Sequence, residues 1–308
     1  MLVVAPGGID HIAQLGLRLP RSEKVHPMHV TVNGARLYFD IEGPGLVPDG
    51  KTMRQRPTLL LLHGGPGFDH SVFKPAFSAL ADVAQIVYLD HRGNGRSDYG
   101  DPTTWNLAQW GDDVRGFCDA LGITQPIVYG VSFGGFVAQS YATRHPAHPG
   151  KLVLVSTAAR PDWPAVFDAF ERIGGAQARR LAEAYWLTPT PEGRIVYREQ
   201  CHPLYYTRPA PDPDASARAI VHDAVNLHFA ADEFKRMDFR AALSRVACPT
   251  LVMAGENDPI TPMAFSETIV ASLPSGRVRF ERFADCGHGI VRDAPERHFA
   301  LLRDFIQA

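Results

Sequence analysis

Ser132 stands in Gly130-Val131-Ser132-Phe133-Gly134-Gly135, with one glycine two residues before it and another two after. The run Pro126-Ile127-Val128-Tyr129 ahead of it is apolar and β-branched, and Phe133, Val137, Ala138, Tyr141 and Ala142 follow at helical spacing. A strand that turns straight into a helix through Gly-x-Ser-x-Gly holds its serine on a cramped backbone, and flanking glycines avoid the Cβ clash. The N–H of Phe133, at the helix N-terminus, then points to where charge would develop on an attacked carbonyl oxygen. The plainer reading is a Gly/Ser-rich turn, since the bare pattern recurs by chance; the strand and helix around it weigh against that. A serine hydroxyl is a poor nucleophile at neutral pH, so the chemistry needs a general base, an acid to orient it and a second oxyanion donor.

Thirteen histidines are available, and they do not cluster with cysteines at metal-ligand spacing; no metal is expected. Gly93-x-Gly95 lacks the rest of a dinucleotide fingerprint, so no cofactor is expected either.

The elements that must position these groups are legible as buried runs. Thr58-Leu59-Leu60-Leu61-Leu62, Ile86-Val87-Tyr88-Leu89, Lys151 to Val155 and Thr250-Leu251-Val252-Met253-Ala254 suit strands buried on both faces of a parallel sheet. Val278 to Phe283 adds a further strand. Met28 to Ile41 alternates around Asn33-Gly34 as a hairpin, and Gly43 to Arg56 reads as a loop. A helix spans Trp105 to Leu121 and closes at Gly122, another begins near Pro262, and the last runs from Asp293 with Pro295 in its first turn. Met1 to about Val25 reads as a surface extension. From 160 to 239 only helical patterns broken by prolines occur, which predicts an all-α insertion within an α/β domain. The expected division is a core of 1–159 and 240–308 with a helical cap of 160–239. In such a sheet the ligand crevice lies beyond the C-terminal strand ends, where every Gly-rich loop falls.

Composition sets outer bounds. The 308 residues carry 45% hydrophobic and 21% charged side chains with a net charge of −2, which disfavours nucleic acid or an anionic membrane as partner. Cys118, Cys201, Cys248 and Cys286 are widely spaced and read as reduced thiols, and neither a signal peptide nor a membrane-length apolar run is found. A cytoplasmic protein is expected, with a small molecule or short peptide as substrate; a homo-oligomer is compatible with the sequence.

The loops His63-Gly64-Gly65-Pro66-Gly67, Asp90-x-Arg92-Gly93-x-Gly95-x-Ser97 and Gly130-x-Ser132-x-Gly134-Gly135, in this order, resemble the proline iminopeptidase branch of the α/β-hydrolases. The likeness runs from about Thr31 to the C-terminus. It implies a mostly parallel central sheet flanked by helices, a helical cap, and a serine hydrolase acting on small amides or esters. The fold's chain order of nucleophile, acid and base assigns His288, in a Gly-flanked loop after the last strand, as base and Asp258, after the Thr250 strand, as its orienting acid. Asp258 could instead merely cap the helix near Thr261-Pro262. Glu256 and Asp285 are rival acids; Asp285 is too near His288 in sequence to reach its far nitrogen. Gly65 and Phe133 are the expected oxyanion donors, His63 a loop buttress, Asp90 and Arg92 loop pins, and Cys286 an inert buried thiol.

In aminopeptidases of the branch, acids hold the substrate amine, one of them directly after the triad aspartate; here that place is Pro259. Glu233, with Glu199 and Asp232, is a candidate substitute, while Phe68, Trp163 and Tyr205 are candidates for an apolar pocket wall. The branch favours an N-terminal proline aminopeptidase, and Pro259 favours an esterase, amidase or lactonase. A non-catalytic binding protein on the same fold is the remaining class; it would show a decayed triad, and none is visible.

Overall fold

A computed structural model describes residues 28–308; the expected N-terminal extension lies outside them. The described residues form ten strands, those at the centre of the main sheet from runs that place apolar side chains on both faces. The ten are β1 (His29–Val32), β2 (Ala35–Glu42), β3 (Leu46–Asp49), β4 (Thr52–Gln55), β5 (Thr58–Leu62), β6 (Gln85–Leu89), β7 (Ile127–Val131), β8 (Lys151–Val155), β9 (Thr250–Gly255) and β10 (Val278–Phe283). Eight of them form one sheet in the order β1-β2-β6-β5-β7-β8-β9-β10. β1 and β2 pair antiparallel, β2 joins β6 antiparallel, and every pairing from β6 to β10 is parallel.

Among the described residues seven helices of six or more residues accompany this sheet: α1 (Leu107–Leu121), α2 (Phe133–Arg144), α3 (Trp163–Leu187), α4 (Pro191–Gln200), α5 (Asp223–His228), α6 (Met263–Ser272) and α7 (Pro295–Gln307). Strand alternation divides the core into two layers. Leu60, Leu62, Val87, Val128, Leu154 and Val252 pack towards α1, α2 and the helices between β8 and β9. Leu59, Leu61, Tyr88, Tyr129, Val153 and Met253 pack towards α7 and the short turns after β5. From α3 to Arg236 the chain forms helices joined by turns and irregular segments, with no strand. Among the described residues no helix is long and apolar enough to cross a membrane.

Three boundaries differ from the sequence reading, and at the first of them the closing helix begins at Pro295, not Asp293, which ends a separate short helix, Ile290–Asp293. The helix expected from Trp105 starts at Leu107, because Asn106 is in an extended conformation and its side chain accepts from the Gln109 N–H at 2.9 Å. Gly43 to Arg56 is not all loop: β3 and β4 pair across Gly50-Lys51, with Gly50 at φ 59°. Both strands are almost wholly exposed, so no apolar alternation marks them.

The packing of α2 against the sheet explains the glycines around Ser132. A Cβ on Gly134 would stand 2.0 Å from the Leu62 carbonyl oxygen, and one on Gly130 would stand 2.3 Å from that of Gly134. Both obstacles are backbone and cannot rotate away. Gly134→Ala is therefore expected to cost about 3 kcal/mol or more, seen as a lowered melting temperature or insoluble expression. A variant as stable as the parent would contradict this account of the turn.

Candidate active site

β7 ends at Val131 and α2 begins at Phe133, leaving Ser132 alone in the turn at φ 54°, ψ −120°. That conformation is costly for a residue with a Cβ, and the surroundings enforce it. The Ser132 N–H donates to the Val155 carbonyl at 3.0 Å, while its own carbonyl accepts from the Gly135 N–H and the Thr157 hydroxyl, both at 2.9 Å. The Ser132 side chain is partly exposed. Phe133 buries its ring against Trp110 (4.9 Å between ring centres) and Phe229 (5.3 Å), which anchors the first turn of α2. As the first helical residue, Phe133 has no intrahelical acceptor for its N–H.

The loop after β5 passes close to Ser132: a Cβ on Gly64 would lie 3.4 Å from the Ser132 Cβ. Gly65 adopts φ 125°, where a side chain would also crowd the N–H groups of Gly67 and Phe68. The neighbouring loop braces this one. The Asn94 side-chain oxygen accepts from the Gly67 N–H at 2.6 Å, and His63 accepts through Nε2 from the His91 N–H. Arg92 makes a buried two-point ion pair with Asp113, donating from Nε at 2.7 Å and from an Nη at 2.8 Å. Asp90 accepts from the His70 Nδ1–H and from the N–H groups of His70 and Arg96. Asp69, His70 and Asp90 bring metal-ligating atoms within 4.8 Å of one another. Asp69 pairs with the Arg96 guanidinium at 2.6 Å, and Asp90 takes the His70 Nδ1–H.

The loops after β9 and β10 meet because Gly255 and Gly287 touch; a Cβ on Gly255 would lie 2.1 Å from the Gly287 carbonyl oxygen. This contact brings Asp258 to His288, with Nδ1 and Oδ2 2.7 Å apart. Asp258 is buried and spends its other acceptors on the Ile260 N–H (2.9 Å), the Thr261 N–H (2.8 Å) and the Thr261 hydroxyl (2.6 Å). Burial alone would raise its pKa; the His288 imidazole and these hydrogen bonds prevail and hold it below the ordinary carboxylate value. The rival acids Glu256 and Asp285 are exposed, and neither bonds His288. Burial holds the Cys286 thiol above its ordinary pKa, which keeps it protonated.

Ser132 forms no hydrogen bond with His288 among the described residues; the two are carried to one rim of the sheet by β7 and β10.

The substrate-facing expectations divide. Tyr205 packs its ring 5.1 Å from that of His288, and its carbonyl accepts from the His288 N–H at 2.7 Å. Phe68 is partly exposed, with its ring 6.5 Å from that of His202. Trp163 instead joins the aromatic cluster among the inserted helices, 5.6 Å from Trp186 and 5.2 Å from Phe234. Glu233 is also corrected. Its carboxylate accepts from the Leu107 N–H at 3.0 Å, capping α1, and pairs with Arg236, so it is not free to hold an amine. Asp232 pairs with the same arginine, and Glu199 is exposed.

Two residues emerge that sequence reasoning missed. Asp293 is buried and accepts from the Gly287 N–H (2.8 Å), the Thr207 N–H (3.1 Å) and the Arg208 N–H (3.2 Å), tying the His288 loop to the helical insertion. Its place five residues after His288 is the only signal for it in the sequence. His202, between Tyr205 and Phe68, lies just after α4 and before Pro203 and carried no signal at all.

With an elbow serine, a buried aspartate–histidine pair and a glycine loop at one rim of a mostly parallel sheet, the chain belongs to the family described as alpha/beta hydrolase fold, matched over residues 57–295. It is 30% identical to RutD of Caulobacter sp. (strain K31), named a carbamate hydrolase, over 90% of this chain and 97% of that protein. It is 29% identical to the proline iminopeptidase PfmaB of Pestalotiopsis fici, over 79% of this chain and 87% of that one. The crystal structure of a Mycobacterium smegmatis proline iminopeptidase superposes with a TM-score of 0.71 at 23% identity, covering 92% of this chain and 98% of that one, which shows a common fold. The protein is a hydrolase of this fold by family and relatives.

Proposed function

We propose that the protein is a serine hydrolase that cleaves small esters or amides through an acyl-enzyme. The observation that carries this reading is the buried Asp258–His288 pair at the rim that also bears the Ser132 elbow. His288 takes the Ser132 proton through Nε2 as the oxygen attacks the carbonyl carbon, and Asp258 holds the tautomer with the proton on Nδ1 and steadies the imidazolium. The N–H groups of Gly65 and Phe133 receive the developing oxyanion. His288 then returns the proton to the leaving group, and water, activated by the same imidazole, releases the acid from Ser132. The helices between β8 and β9 act as a cap over this rim, with Tyr205 closing one side.

Recognition of a free substrate amine is not built into this reading. Pro259 stands where an acid would be needed, and Glu233 is committed to α1. A p-nitrophenyl ester of a short acid should therefore be turned over at least about a hundredfold faster than a proline arylamide, after correction for their uncatalysed rates, since an unpaired ammonium in a site without an acid is costly. Measuring both substrates alongside labelling by a serine-directed fluorophosphonate decides it. Faster arylamide turnover would restore the aminopeptidase reading, and failure to label Ser132 would remove the serine mechanism.

A further inference from the structure

The wall facing the catalytic loops carries a donor that no group among the described residues uses. His202 sits just after α4, its ring 5.0 Å from that of Tyr205 and 6.5 Å from that of Phe68. Tyr205 leans on His288, and Phe68 lies three residues beyond Gly65, so the imidazole is placed between the base loop and the oxyanion loop. Its Nε2 lies 3.4 Å from an Arg194 Nη. A guanidinium has only donors, so Nε2 is the lone-pair nitrogen and the proton resides on Nδ1. Among the described residues that Nδ1–H has no hydrogen-bond partner, and His202 is partly exposed. Burial, with Arg194, His288 and Arg198 nearby, pushes its pKa down to about 3, which keeps the ring neutral.

The charge behind the ring is unbalanced. Arg194 is buried and reaches Asp223 at 3.2 Å, while Arg198 reaches the other oxygen of the same carboxylate at 3.5 Å. Two guanidiniums thus share one carboxylate, leaving an excess positive charge behind an unspent N–H. A neutral acyl chain would leave both unanswered, and an ammonium would oppose both.

We propose that His202, backed by Arg194, is the specificity-determining contact for a carboxylate on the substrate, so that the preferred substrates are small esters or amides whose acyl chain ends in a carboxylate. This rests on the serine hydrolase reading of the same site. The carboxylate accepts the His202 Nδ1–H at one end of the substrate while the scissile carbonyl lies against Ser132 at the other. Long-range attraction to the Arg194–Arg198–Asp223 cluster adds to that bond.

Three p-nitrophenyl esters of matched length test it: the pentanoate, the monoester of glutaric acid and the ester of glutaramic acid. In the wild type the glutaric monoester should exceed the pentanoate in kcat/KM by roughly tenfold to a hundredfold, as expected for a charge-assisted hydrogen bond, with the glutaramate close to the pentanoate. His202→Phe keeps an aromatic ring and should bring the ratio towards one, mainly through KM; reading a ratio cancels any general loss of activity. Competitive inhibition of the wild type, strong by glutarate and weak by glutaramide, supplies a measurement that needs no variant to fold. A wild-type ratio near one, a glutaramate as good as the acid, or a ratio unchanged in His202→Phe overturns the proposal. Pentanoate turnover with Ser132 labelled by a fluorophosphonate leaves the hydrolase reading standing in those cases, whereas no turnover and no labelling removes both.

Discussion

Ser132→Ala is expected to lower kcat by about 10⁴- to 10⁶-fold on any ester the wild type cleaves, with KM little changed. The substitution removes only an oxygen from a partly exposed side chain, and the backbone bonds that hold the elbow, from Ser132 N–H to Val155 and from Gly135 N–H to the Ser132 carbonyl, are untouched. Alanine must adopt the same φ of 54° that serine already tolerates, so the melting temperature should move by no more than a few degrees. What remains is whatever Gly65, Phe133 and substrate binding provide without a nucleophile. The measurement is steady-state hydrolysis with circular dichroism and fluorophosphonate labelling on the same preparations. Residual activity within tenfold of wild type, in a folded and unlabelled variant, would move the nucleophile elsewhere.

The parts of this site that could be read in the sequence are those fixed by short-range sterics. Gly130 and Gly134 are glycines because a Cβ at either would collide with backbone, and such a collision leaves its mark at constant spacing. β5, β6, β8 and β9 announce themselves because burial on both faces demands an unbroken apolar run. The β3–β4 hairpin escaped because exposure on both faces imposes no pattern. Glu233 was misread for a different reason: its partner, the Leu107 N–H, lies 126 residues away, and nothing local shows that an acid is already spent capping another helix. Trp163 and Tyr205 illustrate the same limit. Aromatic residues at helical spacing reveal an apolar face but not which neighbour covers it, and here one enters the cluster with Trp186 while the other reaches His288. His202 gains its significance only from a long-range arrangement of Arg194, Tyr205 and Phe68.

Asp258→Asn is expected to lower kcat by on the order of 10⁴-fold while leaving the loops in place. The direction follows from where the amide must point. Oδ1 accepts the N–H groups of Ile260 and Thr261 at 2.9 and 2.8 Å, so the asparagine oxygen has to occupy that position. Its NH₂ group then replaces Oδ2, facing His288 Nδ1 at 2.7 Å, and the Thr261 hydroxyl turns from donor to acceptor. A donor opposite Nδ1 forces the imidazole proton onto Nε2, the nitrogen that must be bare to accept from Ser132. Stability offers an independent check. The Asp258 carboxyl has a lowered pKa in the folded protein, so its stabilisation is complete at neutral pH and is lost as pH falls from the ordinary carboxylate value through the lowered one. The wild type should therefore melt above Asp258→Asn at pH 7, and the gap should narrow below pH 4. A variant retaining kcat within tenfold of wild type, or a melting gap that widens on acidification, would show that the Asp258–His288 bond is a loop contact without a part in proton transfer.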